Sequence, residues 1–126
     1  MNEKILIIDD EDLLREGIGA ELSCEGFDVI EASNGKEGFQ IAKKIVPDLI
    51  LCDVNMPGTD GYETFRLLRS EAVTSNIPVI FMTGVMEEYP RIRNGMNRGA
   101  DDCIAKPFSI DDLLTSIRTT LSKKGK

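Results

Sequence analysis

Histidine and tryptophan are both absent from the 126 residues. Without an imidazole the chain has no His-based acid–base catalysis and lacks the ligand most zinc sites use. Any phosphohistidine in its chemistry must therefore belong to a partner. Cysteine is scarce. Cys24, Cys52 and Cys103 show no metal-ligand spacing, and an odd count closes no disulfide framework. No signal-peptide pattern precedes the acidic cluster that begins at Asp9, so a reducing, cytoplasmic setting is expected. No apolar run approaches the roughly 20 residues that span a bilayer, so no membrane role is expected. Clustered positive charge is missing too. With 22 acidic against 15 basic residues the net charge is −7, which argues against nucleic-acid binding, because phosphate contacts need grouped Lys and Arg. The tail Lys123-Lys124-Gly125-Lys126 is too short to reverse that.

What is present describes one compact unit. The length suits a single domain able to bury a core, and 41% hydrophobic with 29% charged residues reads as globular rather than disordered. The expectation is one domain over 1–126, with about 122–126 a tail or the start of a linker. Short apolar runs alternate with helical patterns at spacings of about 20 to 30 residues, which is βαβ construction. The predicted strands are residues 4–8, 27–31, 48–52, 78–82 and 102–105. The first, third and fourth are nearly continuous apolar runs, as parallel strands covered on both faces require; the second, Phe27-Asp-Val-Ile-Glu31, is mixed and suits an edge.

Apolar stripes at three- and four-residue spacing mark five helices. They carry Leu14, Ile18 and Leu22; Gly38, Ile41, Ala42 and Ile45; Phe65, Leu68 and Ala72; Tyr89, Ile92 and Met96; and Ile110, Leu113, Leu114, Ile117 and Leu121. Asn34 with Glu37, and Ser109 with Asp112, have capping-box spacing, and Pro90 suits a first helical turn. Gly26 and Gly99 stand where helices should stop.

The polar residues that interrupt this pattern fall where the strands end. Asp9 and Asp10 follow the first, Asp53 the third, Thr83 the fourth, and Lys106-Pro107 the fifth. In open α/β sheets ligands bind at that edge. Carboxylates gathered there repel one another unless a cation joins them, and Mg²⁺ prefers such oxygen donors. Singly, each marker has an ordinary explanation. Asp9 and Asp10 suit a helix N-cap, Thr83 before Gly84 suits any strand end, and Lys106-Pro107 suits a turn. Asp53 is harder to explain so, because it precedes the turn-rich loop Val54-Asn-Met-Pro-Gly-Thr-Asp-Gly61 rather than a helix. Four coincidences at one sheet edge are improbable together, and the set reads as a metal-assisted phosphoryl site.

The segments Ile7-Ile-Asp-Asp-Glu11, Asp53-Val-Asn-Met-Pro57 with Asp60-Gly61, Thr83-Gly84, Gly99-Ala-Asp-Asp102 and Lys106-Pro-Phe108, in this order, resemble the response-regulator receiver domain of two-component signalling. The resemblance covers essentially the whole chain. It implies an α/β fold, a doubly wound five-stranded parallel sheet in order 2-1-3-4-5 with five helices, the flavodoxin-like receiver fold. The first and fifth helices would cover one face and the other three the opposite face. Residue by residue, Asp53 matches the phosphoacceptor. Asp9 and Asp10 match the acidic pair that holds Mg²⁺ (or Mn²⁺), with Asp53 and the backbone carbonyl of Asn55 as further ligands. Thr83 matches the switch hydroxyl and Lys106 the lysine, and the Lys106–Pro107 bond is expected cis. Three positions depart from the family pattern. Cys103 stands where an aromatic residue is usual, Thr59 where an apolar one is, and the stretch from Thr83 to Gly99 is one residue longer.

The function implied is a phosphoryl-accepting switch rather than an enzyme, at most catalysing its own phosphorylation and dephosphorylation. The donor would be a sensor histidine kinase or a histidine phosphotransfer protein. The response would appear on the surface of the fourth helix, fifth strand and fifth helix, to be read by an output domain, an effector protein or a second copy of the chain. A carboxylate near its ordinary pKa of about 4 is ionised and attacks phosphorus without a general base. Two alternatives stand beside this. One is a phosphorylation-independent docking module, a pseudo-receiver. The other is an aspartyl-phosphate hydrolase of the haloacid-dehalogenase type, which would place a second Asp where this chain has Asn55.

Overall fold

The computed structural model describes residues 2–58, 60–84 and 101–124. Counting described elements in chain order, these are β1 (Lys4–Ile8), α1 (Asp12–Cys24), β2 (Asp28–Ala32), α2 (Gly35–Ile45), β3 (Leu49–Asp53), α3 (Gly61–Ser70), β4 (Val79–Thr83), β5 (Asp102–Ala105) and α4 (Ile110–Lys124). The strands form one parallel sheet in the order β2-β1-β3-β4-β5. The fourth predicted helix, with Tyr89, Pro90, Ile92, Met96 and the stop at Gly99, lies outside the described residues, as does Thr59.

Alternation along each strand builds two cores. Leu6, Ile8, Ile50, Cys52, Val79, Phe81 and Cys103 point to the face covered by α2 and α3, where Phe39, Ala42 and Leu68 meet them. Ile5, Ile7, Leu49, Leu51, Ile80 and Met82 point to the opposite face, covered by Ile18 and Leu22 of α1 and Leu113, Leu114 and Ile117 of α4. Burial on both faces is why β1, β3 and β4 read as unbroken apolar runs. The mixed strand β2 lies at the edge of the sheet, with Asp28 and Glu31 exposed.

Three of the predicted strands move by one residue. β2 begins at Asp28, β3 ends on Asp53 and β4 ends on Thr83, so those two polar side chains belong to the strands themselves. Helix α2 buries Phe39 and Ala42 while Ile45 is exposed, because its inward face is set by the close approach of Gly38 to Ile8. Ala72 lies beyond the end of α3 and is exposed. Helix α4 runs three residues past Leu121, to Lys124.

Local signals operate mostly as expected. Asn34 accepts from the Glu37 N–H at 2.8 Å, but Glu37 accepts in turn from Ser33 N–H rather than from Asn34, so the box is displaced by one residue. Ser109 accepts from Asp112 N–H at 3.0 Å. Helix α1 ends in a Schellman arrangement at Gly26, φ +97°, with Phe27 N–H donating to Leu22 O and Gly26 N–H to Ser23 O.

Candidate functional site

Parallel strands joined by right-handed crossovers present all their carboxyl ends at one edge, so side chains far apart in sequence arrive together there. In the paired registers Ile8 lies beside Cys52, Asp53 beside Met82 and Thr83 beside Ala105. The loop after β1 therefore brings Asp9 and Asp10 to the last residue of β3. Carboxylate oxygens of Asp9, Asp10 and Asp53 all lie within 4.8 Å of one another. Asp9 is fully buried, Asp53 is 2% exposed and Asp10 is open to solvent.

Asp9 and Asp10 are not the helix cap. The N-cap of α1 is Glu11, whose side chain makes no capping bond. Instead Asp9 Oδ1 accepts from the Glu11 N–H at 2.9 Å, which leaves Oδ2 turned to the cluster. The loop is braced by Arg15, which donates from Nη1 to the Asp9 backbone oxygen at 2.8 Å. Its Nε and Nη2 pair with Glu31 and Asp12. Gly19, one turn along α1, makes room for this. A Cβ there would come within 3.0 Å of Glu31 Oε2.

Lys106 is the cation of the site. It directly follows β5 and precedes the cis bond to Pro107, and its Nζ lies 3.2 Å from Asp9 Oδ2, 3.1 Å from Glu11 Oε1 and 3.4 Å from Asp53 Oδ1. Burial alone would depress the ammonium, but the Asp53 and Asp9 charges and the bonds to Glu11 and Asp9 outweigh it, and its pKa rises above the ordinary lysine value. Asp53 departs from the sequence expectation of a carboxylate near its ordinary pKa. Burial first, and the Asp9 charge as well, push its carboxyl up to about 6, against the opposing pull of Lys106 and of the Asn55 N–H. At neutral pH it is still mostly ionised, but held at a penalty.

Thr83 is buried at the end of β4 and donates from Oγ1 to Asn55 Oδ1 at 3.2 Å. Asn55 also donates its N–H to Asp53 Oδ1 at 3.3 Å, so one residue connects the hydroxyl to the carboxylate. Gly84 sits beside Lys106 with only 4.0 Å contacts for an added Cβ, which leaves space next to Thr83. Gly61 is the opposite case. A Cβ there would lie 2.5 Å from Asp53 O and 2.7 Å from Val54 Cα, so the start of α3 packs directly on the backbone that carries Asp53. Asp60 caps that helix, accepting from Glu63 N–H at 2.9 Å.

Every side chain expected at the sheet edge is there. Glu11, Arg15 and the close approach of Gly61 were not legible beforehand. Glu11 directly follows the acidic pair, but nothing local tells its reach to Lys106. The donor set fits a hard divalent cation. The three clustered side-chain ligand atoms are carboxylate oxygens, one of them on the exposed Asp10, and three carboxylates outnumber one ammonium. Cys52 is no candidate ligand. Its buried thiol is pushed far above its ordinary range by burial and by nearby carboxylates, and stays protonated. Cys103, 2% exposed, packs into the core that holds Phe81 rather than into the site.

An open parallel sheet with buried carboxylates, a lysine and a hydroxyl at its carboxyl edge defines a class, the doubly wound α/β domains that bind phosphoryl groups at that edge. Within it, the chain belongs to the response regulator receiver domain family, whose model matches residues 5–118. It is similar to the probable transcriptional regulator ycf27 of Porphyridium aerugineum, 42% identical over 98% of this chain and 50% of the relative. It is 38% identical to the phosphate regulon transcriptional regulatory protein PhoB of Pseudomonas aeruginosa over 99% of this chain and 54% of that one. The chain thus spans about half the length of these relatives. Among solved structures, a CheY-like receiver domain protein from Methanospirillum hungatei superposes with a TM-score of 0.89 at 26% identity, covering 99% and 98% of the two chains. CheY4 of Vibrio cholerae does so with a TM-score of 0.87 at 28% identity, covering 95% and 99%. The chain is accordingly a two-component signalling module. Among the described residues no helix is long and apolar enough to cross a membrane.

Proposed function

We propose that this receiver domain accepts a phosphoryl group on Asp53 and thereby switches its output surface, acting in the cytoplasm as the regulated partner of a histidine kinase or histidine phosphotransfer protein. The observation that carries the reading is the convergence of Asp9, Asp10 and Lys106 on a buried Asp53. Asp53 is the one carboxylate of the set at a strand end with an ammonium at 3.4 Å and a backbone N–H on the same oxygen. A buried carboxylate held at about 6 is ionised at neutral pH yet poorly solvated, which favours attack on phosphorus.

In the transfer, an Asp53 oxygen forms the new O–P bond while the donor's P–N bond breaks. The electron pair leaves on the imidazole nitrogen, which takes up a proton. With acetyl phosphate a P–O bond breaks instead and acetate leaves. Lys106 holds one phosphoryl oxygen and neutralises part of its charge, which in a loose transition state supplies much of the catalysis. Asp9, Asp10, Asp53 and the Asn55 carbonyl are the residues that would hold Mg²⁺ or Mn²⁺. Such a cation, when bound, offsets the repulsion between nucleophile and phosphoryl group.

After transfer, the phosphoryl oxygens offer Thr83 a stronger acceptor than Asn55 Oδ1, and a move of that hydroxyl pulls on the loop that follows β4. The change biases an existing equilibrium between two surface arrangements. Cys103 cannot sweep a ring through that surface as an aromatic would, so the loop and the residues after it carry the response. The output is an attached or separate effector, in keeping with relatives described as transcriptional regulators. Domain 1–126 acts as one switching unit. The hydrolase alternative has no support, because Asn55 offers no acid–base carboxylate and is engaged with Thr83.

Incubation with phosphoramidate or acetyl phosphate and Mg²⁺, followed by intact-mass analysis, tests this. One adduct of a single phosphoryl group is expected, absent without a divalent cation and absent in Asp53→Asn. An adduct that persists in Asp53→Asn would move the acceptor to another residue. No adduct in the wild type would leave a docking module that takes no phosphate.

A further inference from the structure

An ammonium has three N–H donors, and those of Lys106 face three carboxylates, on Asp9, Glu11 and Asp53. If Lys106 is to bind a phosphoryl oxygen, one of these must give way. Asp9 is fully buried, and its other oxygen is fixed by the Glu11 N–H at 2.9 Å, so it cannot swing aside. Asp53 is the residue that carries the new group. Glu11 is different in kind. Its side chain is 61% exposed, it lies at 3.1 Å, the shortest of the three contacts, and its release costs little desolvation because this carboxylate, unlike the 14% exposed Lys106, is already largely in water. Its carboxylate is also not among the groups that cluster as metal-ligating oxygens.

We propose that Glu11 is a positioning residue for Lys106, which occupies the ammonium in the unphosphorylated protein and hands it to the phosphoryl group on transfer. The inference rests on the reading of Asp53 as acceptor and Lys106 as its counter-cation. Glu11 has two effects in the resting state. It stops the ammonium from closing fully onto Asp53, and it adds a negative charge at the mouth of a site that anionic donors must enter. The second effect makes Glu11 a determinant of donor preference. A dianionic donor meets more repulsion from it than a monoanionic one does. Removing the charge should therefore help acetyl phosphate more than phosphoramidate.

The test compares wild type, Glu11→Gln and Glu11→Ala as whole chains, measuring the rate of Asp53 phosphorylation with each donor at low and high salt. For acetyl phosphate both variants are expected to gain about two- to fivefold at low salt, the range an exposed charge pair supports. The gain should be smaller with phosphoramidate and should shrink as salt rises. A merely structural role for Glu11 would change both donors alike and leave no salt dependence. Direct Mg²⁺ titration of the same variants, read by amide chemical shifts, should give an affinity within about twofold of wild type, since an exposed charge outside the ligand set acts only weakly on the ion. A loss of affinity like that of Asp10→Ala would make Glu11 a metal ligand and overturn the proposal. So would equal rates, a fall in rate, or the same gain with both donors. Wild type that takes up no phosphoryl group at all would instead remove the acceptor reading beneath it.

Discussion

Replacing Asp53 by asparagine should make the cation-free protein more stable, although it destroys the proposed acceptor. The carboxyl sits at about 6 against an ordinary value of 3.8. Each pH unit of displacement corresponds to about 1.4 kcal/mol, so ionised Asp53 is held in the fold at a penalty of about 3 kcal/mol. An amide of nearly the same shape escapes that penalty but gives Lys106 a weaker partner at 3.4 Å. A net gain of about 1–2 kcal/mol remains, worth roughly 4–8 °C in Tm for a domain of this size. The pH dependence gives the sign. Because the folded-state pKa is raised, the native wild type binds more protons at Asp53 than the unfolded chain does between about pH 4 and pH 6. Wild type therefore loses stability as pH rises through that window, and Asp53→Asn does not. Thermal and urea unfolding of both proteins at pH 7.5 and pH 4.5, in EDTA, should show a gap that is full at the higher pH and mostly closed at the lower. Adding Mg²⁺ at pH 7.5 should stabilise wild type more than the variant, because the ion binds only the folded carboxylate set. An asparagine variant less stable than wild type at pH 7.5, or a gap that does not change with pH, would mean that Asp53 carries no such penalty.

Asp10→Ala should weaken Mg²⁺ binding by tenfold or more, on the order expected for loss of a carboxylate ligand, whereas Cys52→Ser should leave it nearly unchanged; titration followed by amide shifts decides between them. Gly61→Ala forces a Cβ against Asp53 O and Val54 Cα, so it should destabilise the fold by about 1–3 kcal/mol in urea unfolding and slow phosphorylation at the same time. Beryllium fluoride, as a phosphoryl mimic, should change amide exchange across residues 86–98 in wild type and in Cys103→Ala but not in Thr83→Ala. Changes limited to the loops that carry Asp53 and Lys106 would show that the signal does not travel that way.

Much of this was local information. The alternation of apolar runs with three- and four-residue stripes is written in consecutive residues, and it is enough to place five strands along the chain, whereas the sheet order came from the family resemblance. Parallel crossovers then oblige every strand to end at the same edge, which is why Asp9, Asp53, Thr83 and Lys106 could be placed together before any distance was known. The absence of histidine likewise meant that any phosphohistidine in the chemistry would belong to a partner. Caps at Asn34 and Ser109 and the stop at Gly26 were readable for the same reason, since each acts within four residues.

The tertiary structure decided what depends on distance across the chain. Glu11 and Lys106 are 95 residues apart, and only packing puts the carboxylate on the ammonium. Burial of Asp53 between two covered faces, rather than its residue type, lifts its pKa from the ordinary range to about 6. Phe39 displaces Ile45 from the core because the face of α2 is set by how closely Gly38 approaches Ile8, a contact between elements that the helical period alone does not encode. Periodicity determines which side chains an element can bury together; the solvation of a charge and the fit of one backbone against another are properties of the assembled fold.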